Sequence, residues 1–278
     1  VLDLLKGLAL GAVLGGALLG AVLFFFGWAG SLAWLWCWGA VTIFTLTAQF
    51  LAPTVIMPLF NTFSPLDSGE LKDALLDYAR ATQFPLDGIS VIDGSRRSAK
   101  ANAFFTGFGS RKRIALFDTL IEQQTTPELV AIVAHEVGHY KRRHIVKGLA
   151  LSLAHTGVLF WLLSVFLDRA GLFDAFGVAE PSVYAGLVFF GLLFTPIELL
   201  LSILGNAFSR RYEFEADAFA ADTTGSGESL VTALKKLSAD SLSNLPPHPL
   251  QVFLHHSHPP VLQRITALRA LSSGEGPA

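Results

Sequence analysis

The chain has 278 residues, of which 52% are hydrophobic and 15% are charged, with a net charge of −2 and a mean hydropathy of +0.52. A soluble domain carries roughly a quarter charged residues, so the deficit predicts that lipid solvates part of the chain. The nearly balanced charge gives no basic field, so we expect no nucleic-acid partner. The single cysteine excludes a disulfide framework and a thiolate metal site.

Long apolar runs predict membrane spans. Residues 7–66 contain no charged side chain, and a spanning helix needs about 20 apolar residues, so this run holds two spans. Two more apolar runs follow later in the chain. The predicted spans are residues 8–27, 32–58, 148–167 and 184–204. Because the sequence begins with Val1 and its only methionine is Met57, we expect earlier spans to be missing.

Charge outside the spans predicts the topology. Residues 67–147 carry twelve Lys and Arg, whereas the loop at 168–182 carries only Arg169. The positive-inside rule therefore places 67–147 and the charged C-terminal part on the cytoplasmic side. We expect two membrane pieces, 1–60 and 148–205, that alternate with two parts of one cytoplasmic domain, 61–147 and 206–278. The membrane is a bacterial inner membrane or an endoplasmic reticulum, depending on the organism.

The polar segment before the third span contains short strands between helices. Residues 67–84 have helical periodicity, and residues 89–93, 102–108 and 113–118 are β-branched or aromatic runs. They predict a small antiparallel sheet, with a hairpin loop at 109–112. A helix follows, with Thr126 as N-cap and Pro127 at its first position.

That helix carries the motif "AHEVGHYKRRH" at 134–144. His135 and His139 are one turn apart on one face, so both can bind one zinc ion, and Glu136 lies beside them. In such sites a glutamate takes a proton from a water that the metal activates. His144 is five residues beyond His139 and rotated off that face, which predicts a structural role or a contact at a chamber entrance.

A second helical stretch, "SRRYEFEADAFAAD" at 209–222, offers carboxylates on the same predicted side of the membrane. Glu213 and Asp217 are one turn apart, which suits a third metal ligand and a carboxylate that orients a ligating histidine. The alternative is an exposed helix with Glu–Arg pairs, and Glu215 is the candidate for that role.

The segment "HHSHPPVLQRI" at 255–265 has two interpretations. A histidine or Arg264 there could stabilise the oxyanion formed during hydrolysis, or the segment could be an ordinary polar loop. Two further polar residues, His155 and Glu198, fall inside predicted spans, where such groups line a bundle interior or reach toward the membrane surface.

Together these motifs resemble one family. "HEVGHYKRRH", "SRRYEFEADAFA", "NAFFTGF" and "HHSHPPVLQR" occur in the order seen in the type I CAAX prenyl proteases, membrane zinc endopeptidases that process yeast a-factor and prelamin A. The resemblance covers roughly 60–272. It implies a mainly α, multi-span helical membrane protein with a zincin-like catalytic domain that contains a small antiparallel β-sheet. The family has more spans than the four predicted here.

The resemblance also implies roles for residues. One Zn²⁺ per chain would be bound by His135, His139 and Glu213, with Glu136 as the general base. Asp217 would hydrogen-bond a zinc ligand, and His258 and Arg264 would contact the substrate carbonyl or oxyanion. Asn102 and Ala103 would pair with an extended substrate backbone.

The expected partners are the lipid bilayer and a peptide or protein substrate, with C-terminal prenylation as one option. The alternatives are an HtpX-type quality-control protease, which shares the zinc helix and the second helix, and a catalytically silent scaffold with structural zinc. A transporter would show paired broken spans in internal repeats, and the sequence has no such repeat.

Overall fold

The computed structural model describes residues 2–98, 100–106, 112–178, 180–242 and 244–273. The helices are α1 Leu2–Trp28, α2 Ala33–Leu51, α3 Met57–Phe60, α4 Glu70–Ala81, α5 Asp118–Gln123, α6 Thr126–Lys141, α7 His144–Leu167, α8 Ala170–Ala175, α9 Val183–Thr224, α10 Glu228–Asp240, α11 Pro249–His255 and α12 Val261–Ser273. The strands are β1 Phe63–Pro65, β2 Leu86–Ile92, β3 Ala103–Thr106 and β4 Lys112–Phe117. The chain forms two compact units: Val1–Ile56 with Gly148–Leu201, and Met57–Lys147 with Ser202–Ala278.

Four helical segments among the described residues are long and apolar enough to cross a membrane, and each contains one of the predicted spans. They are Leu2–Trp28, Gly30–Phe60, His144–Leu167 and Val183–Thr224. The second of these segments contains a wide π-type turn at Ala52–Ile56, where Pro53 lacks the N–H that an α-helix needs. The prediction of four spans is confirmed.

The first unit is held by apolar packing and by two polar contacts between helices. Buried side chains of Cys37, Phe160 and Phe190 form its centre, while many large apolar side chains on its helices are exposed. The Trp38 Nε1 donates to the Leu153 carbonyl at 2.8 Å. His155 Nε2 lies 2.9 Å from Glu198 Oε2, so these two polar side chains bond to each other.

The second unit contains the small sheet that the sequence predicts. Its strand order is β1-β2-β4-β3. The β1–β2 and β3–β4 pairs are antiparallel, but β2 and β4 are parallel, so the sheet is mixed rather than wholly antiparallel. Parallel neighbours need a long connection, and the chain between β2 and β4 supplies one and forms β3 on the way. The predicted hairpin loop at 109–112 falls largely outside the described residues.

Helix α6 begins one residue earlier than predicted. Thr125, rather than Thr126, is its N-cap, because Thr125 and Glu128 form a reciprocal capping box that fixes the start. Its apolar residues, including Leu129, Val133 and Val137, are buried in the core of the second unit. The histidines of this helix are therefore presented from a rigid support.

Candidate metal centre

The two histidines of α6 converge on one point. His135 Nε2 and His139 Nε2 are 3.1 Å apart. His135 Nδ1 lies 2.8 Å from Asp217 Oδ1, and a ring nitrogen that faces a carboxylate carries the proton. In the neutral ring, Nε2 then carries a lone pair that points toward His139. This arrangement suits a cation bound by both histidines.

Helix α9 brings a carboxylate to the same point. Glu213 is buried, and its oxygens lie 3.6 Å from His135 Nε2 and 3.4 Å from His139 Nε2. One ligand atom from each of the three residues falls within 4.8 Å of the others. Two imidazoles and one carboxylate form a donor set that suits a catalytic zinc ion. The residues present fit a metal.

A glycine permits this approach of the two helices. A Cβ atom placed on Gly138 would lie 3.0 Å from Ala216 Cα and 3.1 Å from the Ala216 carbonyl oxygen. Both are backbone atoms of α9, which cannot yield as a flexible side chain could. The glycine between the two histidines therefore lets α9 pack close enough to α6 for Glu213 and Asp217 to contact His135 and His139.

Arg264 of α12 joins the two carboxylates of α9. It donates from Nε to Asp217 Oδ2 at 2.8 Å and from Nη2 to Asp217 Oδ1 at 2.6 Å. Its Nη1 is 3.1 Å from Glu213 Oε2. Burial alone would raise the pKa of both carboxyls. The side-chain contact with His139 and the proximity of His135 and Arg264 instead lower the pKa of Glu213 to about 2. Hydrogen bonds with Arg264 and His135 lower the pKa of Asp217.

Glu136 is placed differently from the other carboxylates. It is partly buried, and burial raises its pKa although His135, His139 and Arg264 oppose the shift. Within the described residues its carboxylate has no hydrogen-bond or ion-pair partner. A carboxylate next to the His pair that makes no hydrogen bond or ion pair with another described residue is available to exchange a proton.

Comparisons with known proteins agree with this geometry. A sequence profile described as Peptidase family M48 matches residues 65–272. The chain belongs to peptidase family M48. A second profile, described as CAAX prenyl protease N-terminal, five membrane helices, matches residues 1–62. M48 is a family of metallopeptidases, so the family also implies a metal at the His135–His139–Glu213 cluster.

Relatives within M48 are similar over nearly all of this chain. It is 36% identical to CAAX prenyl protease 1 homolog of Oryza sativa subsp. japonica over 98% of its own length and 64% of the relative. It is also 36% identical to CAAX prenyl protease 1 of Saccharomyces cerevisiae, over 98% and 63%. The crystal structure of S. mikatae Ste24p matches with a TM-score of 0.88 and 35% identity, covering 96% of this chain and 65% of that one. The chain thus spans somewhat less than two thirds of these proteins.

His258 lies beside Glu213, one of the candidate metal ligands. Its Nε2 is 3.4 Å from Glu213 Oε1, and its side chain is 66% exposed. The Ser257 hydroxyl and His258 Nδ1 are 3.0 Å apart. Arg264, by contrast, is buried with its fork occupied by Asp217. The two residues predicted to hold the oxyanion therefore lie in unlike surroundings.

Asn102 and Ala103 lie at the start of β3, the edge strand of the sheet. The Asn102 carbonyl accepts from the Phe117 N–H at 3.0 Å, and its side-chain oxygen accepts from the Ala103 N–H at 2.9 Å. Within the described residues no further strand pairs with the outer side of β3.

His144 lies outside the His135–His139–Glu213 group of described residues, and its structural role stays a prediction, but the helical wheel did not reveal its contact with His139. Its Nδ1 lies 3.1 Å from His139 Nδ1. The helical wheel failed because α6 ends at Lys141 and Arg143 takes a left-handed backbone conformation with φ 57°. The signal that could have found this contact is the basic run "KRR", where a helix end is plausible.

Proposed function

We propose that this M48 chain is the catalytic part of an integral-membrane zinc endopeptidase that cleaves CaaX-type prenylated or other membrane-tethered peptides. The observation that carries the proposal is the convergence of His135 Nε2, His139 Nε2 and a Glu213 carboxylate oxygen within 4.8 Å, with Glu136 beside them. The names of the relatives favour the CAAX proteases over the HtpX-type alternative. The distribution of Lys and Arg supports a cytoplasmic position for the second unit.

Each residue has a task in the proposed hydrolysis. His135, His139 and Glu213 would hold one zinc ion, which supplies activation of water and polarisation of the scissile carbonyl. Glu136 takes a proton from the attacking water and returns it to the departing amine. Asp217 accepts from His135 Nδ1 and so keeps its Nε2 facing the metal side.

In the proposed mechanism His258 contacts the oxyanion. Arg264, which the resemblance also places at the oxyanion, has a further role. His258 is exposed and close to Glu213, so a ring nitrogen can reach a substrate oxygen. The guanidinium group of Arg264 already contacts Asp217 and Glu213. These contacts support a role for Arg264 in orienting the two carboxylates, in addition to any contact with the oxyanion. The outer edge of β3, with which no other described strand pairs, supports pairing of the substrate backbone at Asn102 and Ala103.

Metal content and peptide cleavage test the proposal together. We expect about one zinc per wild-type chain and large loss of zinc from Glu213→Ala, while Glu122→Ala, an exposed glutamate of α5, retains it. Glu136→Gln should keep zinc and reduce cleavage of a prenylated CaaX peptide by at least about 10²-fold. Cleavage by Glu136→Gln at the wild-type rate would rule out its role as base.

The substrate class needs its own comparison. The same peptide with and without the prenyl group should be cleaved at clearly different kcat/KM if the lipid is recognised. Equal values would leave the hydrolysis in place and remove prenylation from the proposal. Zinc retained in Glu213→Ala would show that the ligand set is wrong.

A further inference from the structure

A line of polar contacts leads away from His139 on the side opposite the metal cluster. His139 Nδ1 is 3.1 Å from His144 Nδ1, and His144 Nε2 is 3.1 Å from Glu215 Oε2. Arg211 Nε then donates to Glu215 Oε1 at 2.8 Å. His144 itself is buried, with 5% of its surface exposed. His144, Glu215 and Arg211 are not among the metal ligands proposed above.

The protons of this line can be assigned by elimination. If His139 Nε2 faces the metal, the proton of the neutral ring is on Nδ1, which must donate to His144 Nδ1. His144 then carries its own proton on Nε2 and donates it to Glu215. Every nitrogen and oxygen in the line has a matching partner, and no two donors oppose each other.

The His144 ring is also held in its plane. It stacks on Tyr212 with ring centroids 4.3 Å apart and an interplanar angle of 12°. Tyr212 and Glu215 lie three residues apart on α9, so one face of that helix both stacks on the ring and accepts its proton. The turn at Arg143 delivers His144 to this face.

The two histidines of the metal cluster are therefore supported in the same manner from two sides. Asp217 receives the Nδ1 proton of His135, and the His144–Glu215 pair receives that of His139. We propose that His144 and Glu215 are positioning residues that fix the tautomer and ring orientation of His139 for metal binding. This inference rests on the proposed metal role of His139.

The bland alternative is that Glu215 only forms a surface ion pair with Arg211, whose side chain is 74% exposed. Such pairs contribute little, and their loss would not reach the metal. Partners that orient a ligating histidine behave differently, since their removal typically costs about 10–100-fold in metal affinity.

Zinc affinity measured by competition with a chelator tests the positioning role. His144→Phe keeps the stacking on Tyr212 but removes both ring nitrogens, and Glu215→Ala removes the final acceptor from a partly exposed site. We expect each to raise the zinc dissociation constant at least about tenfold. His255→Phe, the same change at an exposed histidine of α11, should leave it unchanged.

Rescue and a spectroscopic readout separate positioning from general structure. His144→Asn restores an acceptor where Nδ1 lies and should recover part of the affinity lost in His144→Phe. The cobalt-substituted protein should change its visible absorption in His144→Phe and in Glu215→Ala, because the orientation of His139 alters the ligand field. The thermal midpoint of the metal-free chain should move little in Glu215→Ala.

The outcomes distinguish this inference from the proposed function. Dissociation constants within twofold of wild type for both His144→Phe and Glu215→Ala overturn the positioning role. If Glu213→Ala still loses zinc in that case, the metal centre stands without the line of contacts. A wild-type chain that binds no zinc overturns both.

Discussion

At the scale of single residues, Arg264 stabilises the site by opposing charge. Asp217 is 1% exposed and Glu213 is 6% exposed, and two buried carboxylates so close together repel each other without a cation between them. Arg264 donates two hydrogen bonds to one and lies against the other. Loss of one partner from a buried pair is far more costly than loss of a surface pair.

Arg264→Ala should therefore lower the free energy of unfolding by about 3–5 kcal/mol, with a large drop in the thermal midpoint. The matched control is Arg269→Ala on the same helix, because Arg269 pairs with Glu228 at 3.0 Å on the surface and should change the midpoint little. Thermal unfolding of the two purified variants in the same detergent measures the difference. Equal midpoints would show that Arg264 does not hold the carboxylates.

Sequence patterns predicted the ligand candidates but not their surroundings. His135 and His139 follow from spacing on one helix, since i and i+4 share a face. Glu213 and Asp217 required a guess about which distant helix meets the first. The partner of His144 could not be predicted, because a helical wheel assumes an unbroken helix and the left-handed residue Arg143 breaks it.

At the scale of elements, the packing of α6 on α9 depends on the absence of a side chain at residue 138. Gly138→Ala would place a Cβ 3.0 Å from Ala216 Cα, so α9 must shift. We expect lower thermal stability together with an increase in the zinc dissociation constant, because Glu213 and Asp217 move with Ala216. Chelator competition and thermal unfolding measure the two effects.

The control for this change is Gly205→Ala, also on α9, where an added Cβ meets nothing within 4 Å. Alanine is the better helix former by up to about 1 kcal/mol, so this variant should be as stable as wild type or more so. A Gly138→Ala variant with unchanged zinc affinity would show that the two helices tolerate a wider spacing.

Elements themselves were predicted well where the apolar pattern was long. All four spans were predicted from apolar runs with about the 20 residues that a helix needs to cross a bilayer. The sheet was harder, because short apolar runs reveal strands but not which strands pair. The parallel β2–β4 pair forms because β3 lies at the edge of the sheet, outside β4, and short apolar runs do not indicate that strand order.

At the scale of the whole molecule, metal binding should couple to the stability of the second unit. A ligand that binds only the folded state at about 100 times its dissociation constant adds roughly 2.7 kcal/mol. We expect a chelator to lower the thermal midpoint of wild type and to leave that of Glu213→Ala unchanged. A wild-type midpoint that does not respond to the chelator would show that the cluster holds no metal.

The second unit is also discontinuous, because Met57–Lys147 and Ser202–Ala278 are separated by residues of the first unit. Asp217 follows His135 by 82 residues, and Arg264 follows Asp217 by 47. At about 5–20 residues per second on the ribosome, the histidine pair waits roughly 4–16 s for its first carboxylate partners and then several seconds more for Arg264. The centre is therefore complete only after α12 has been synthesised, and a nascent chain that stalls before α12 carries His135 and His139 without the arginine that neutralises their carboxylate partners.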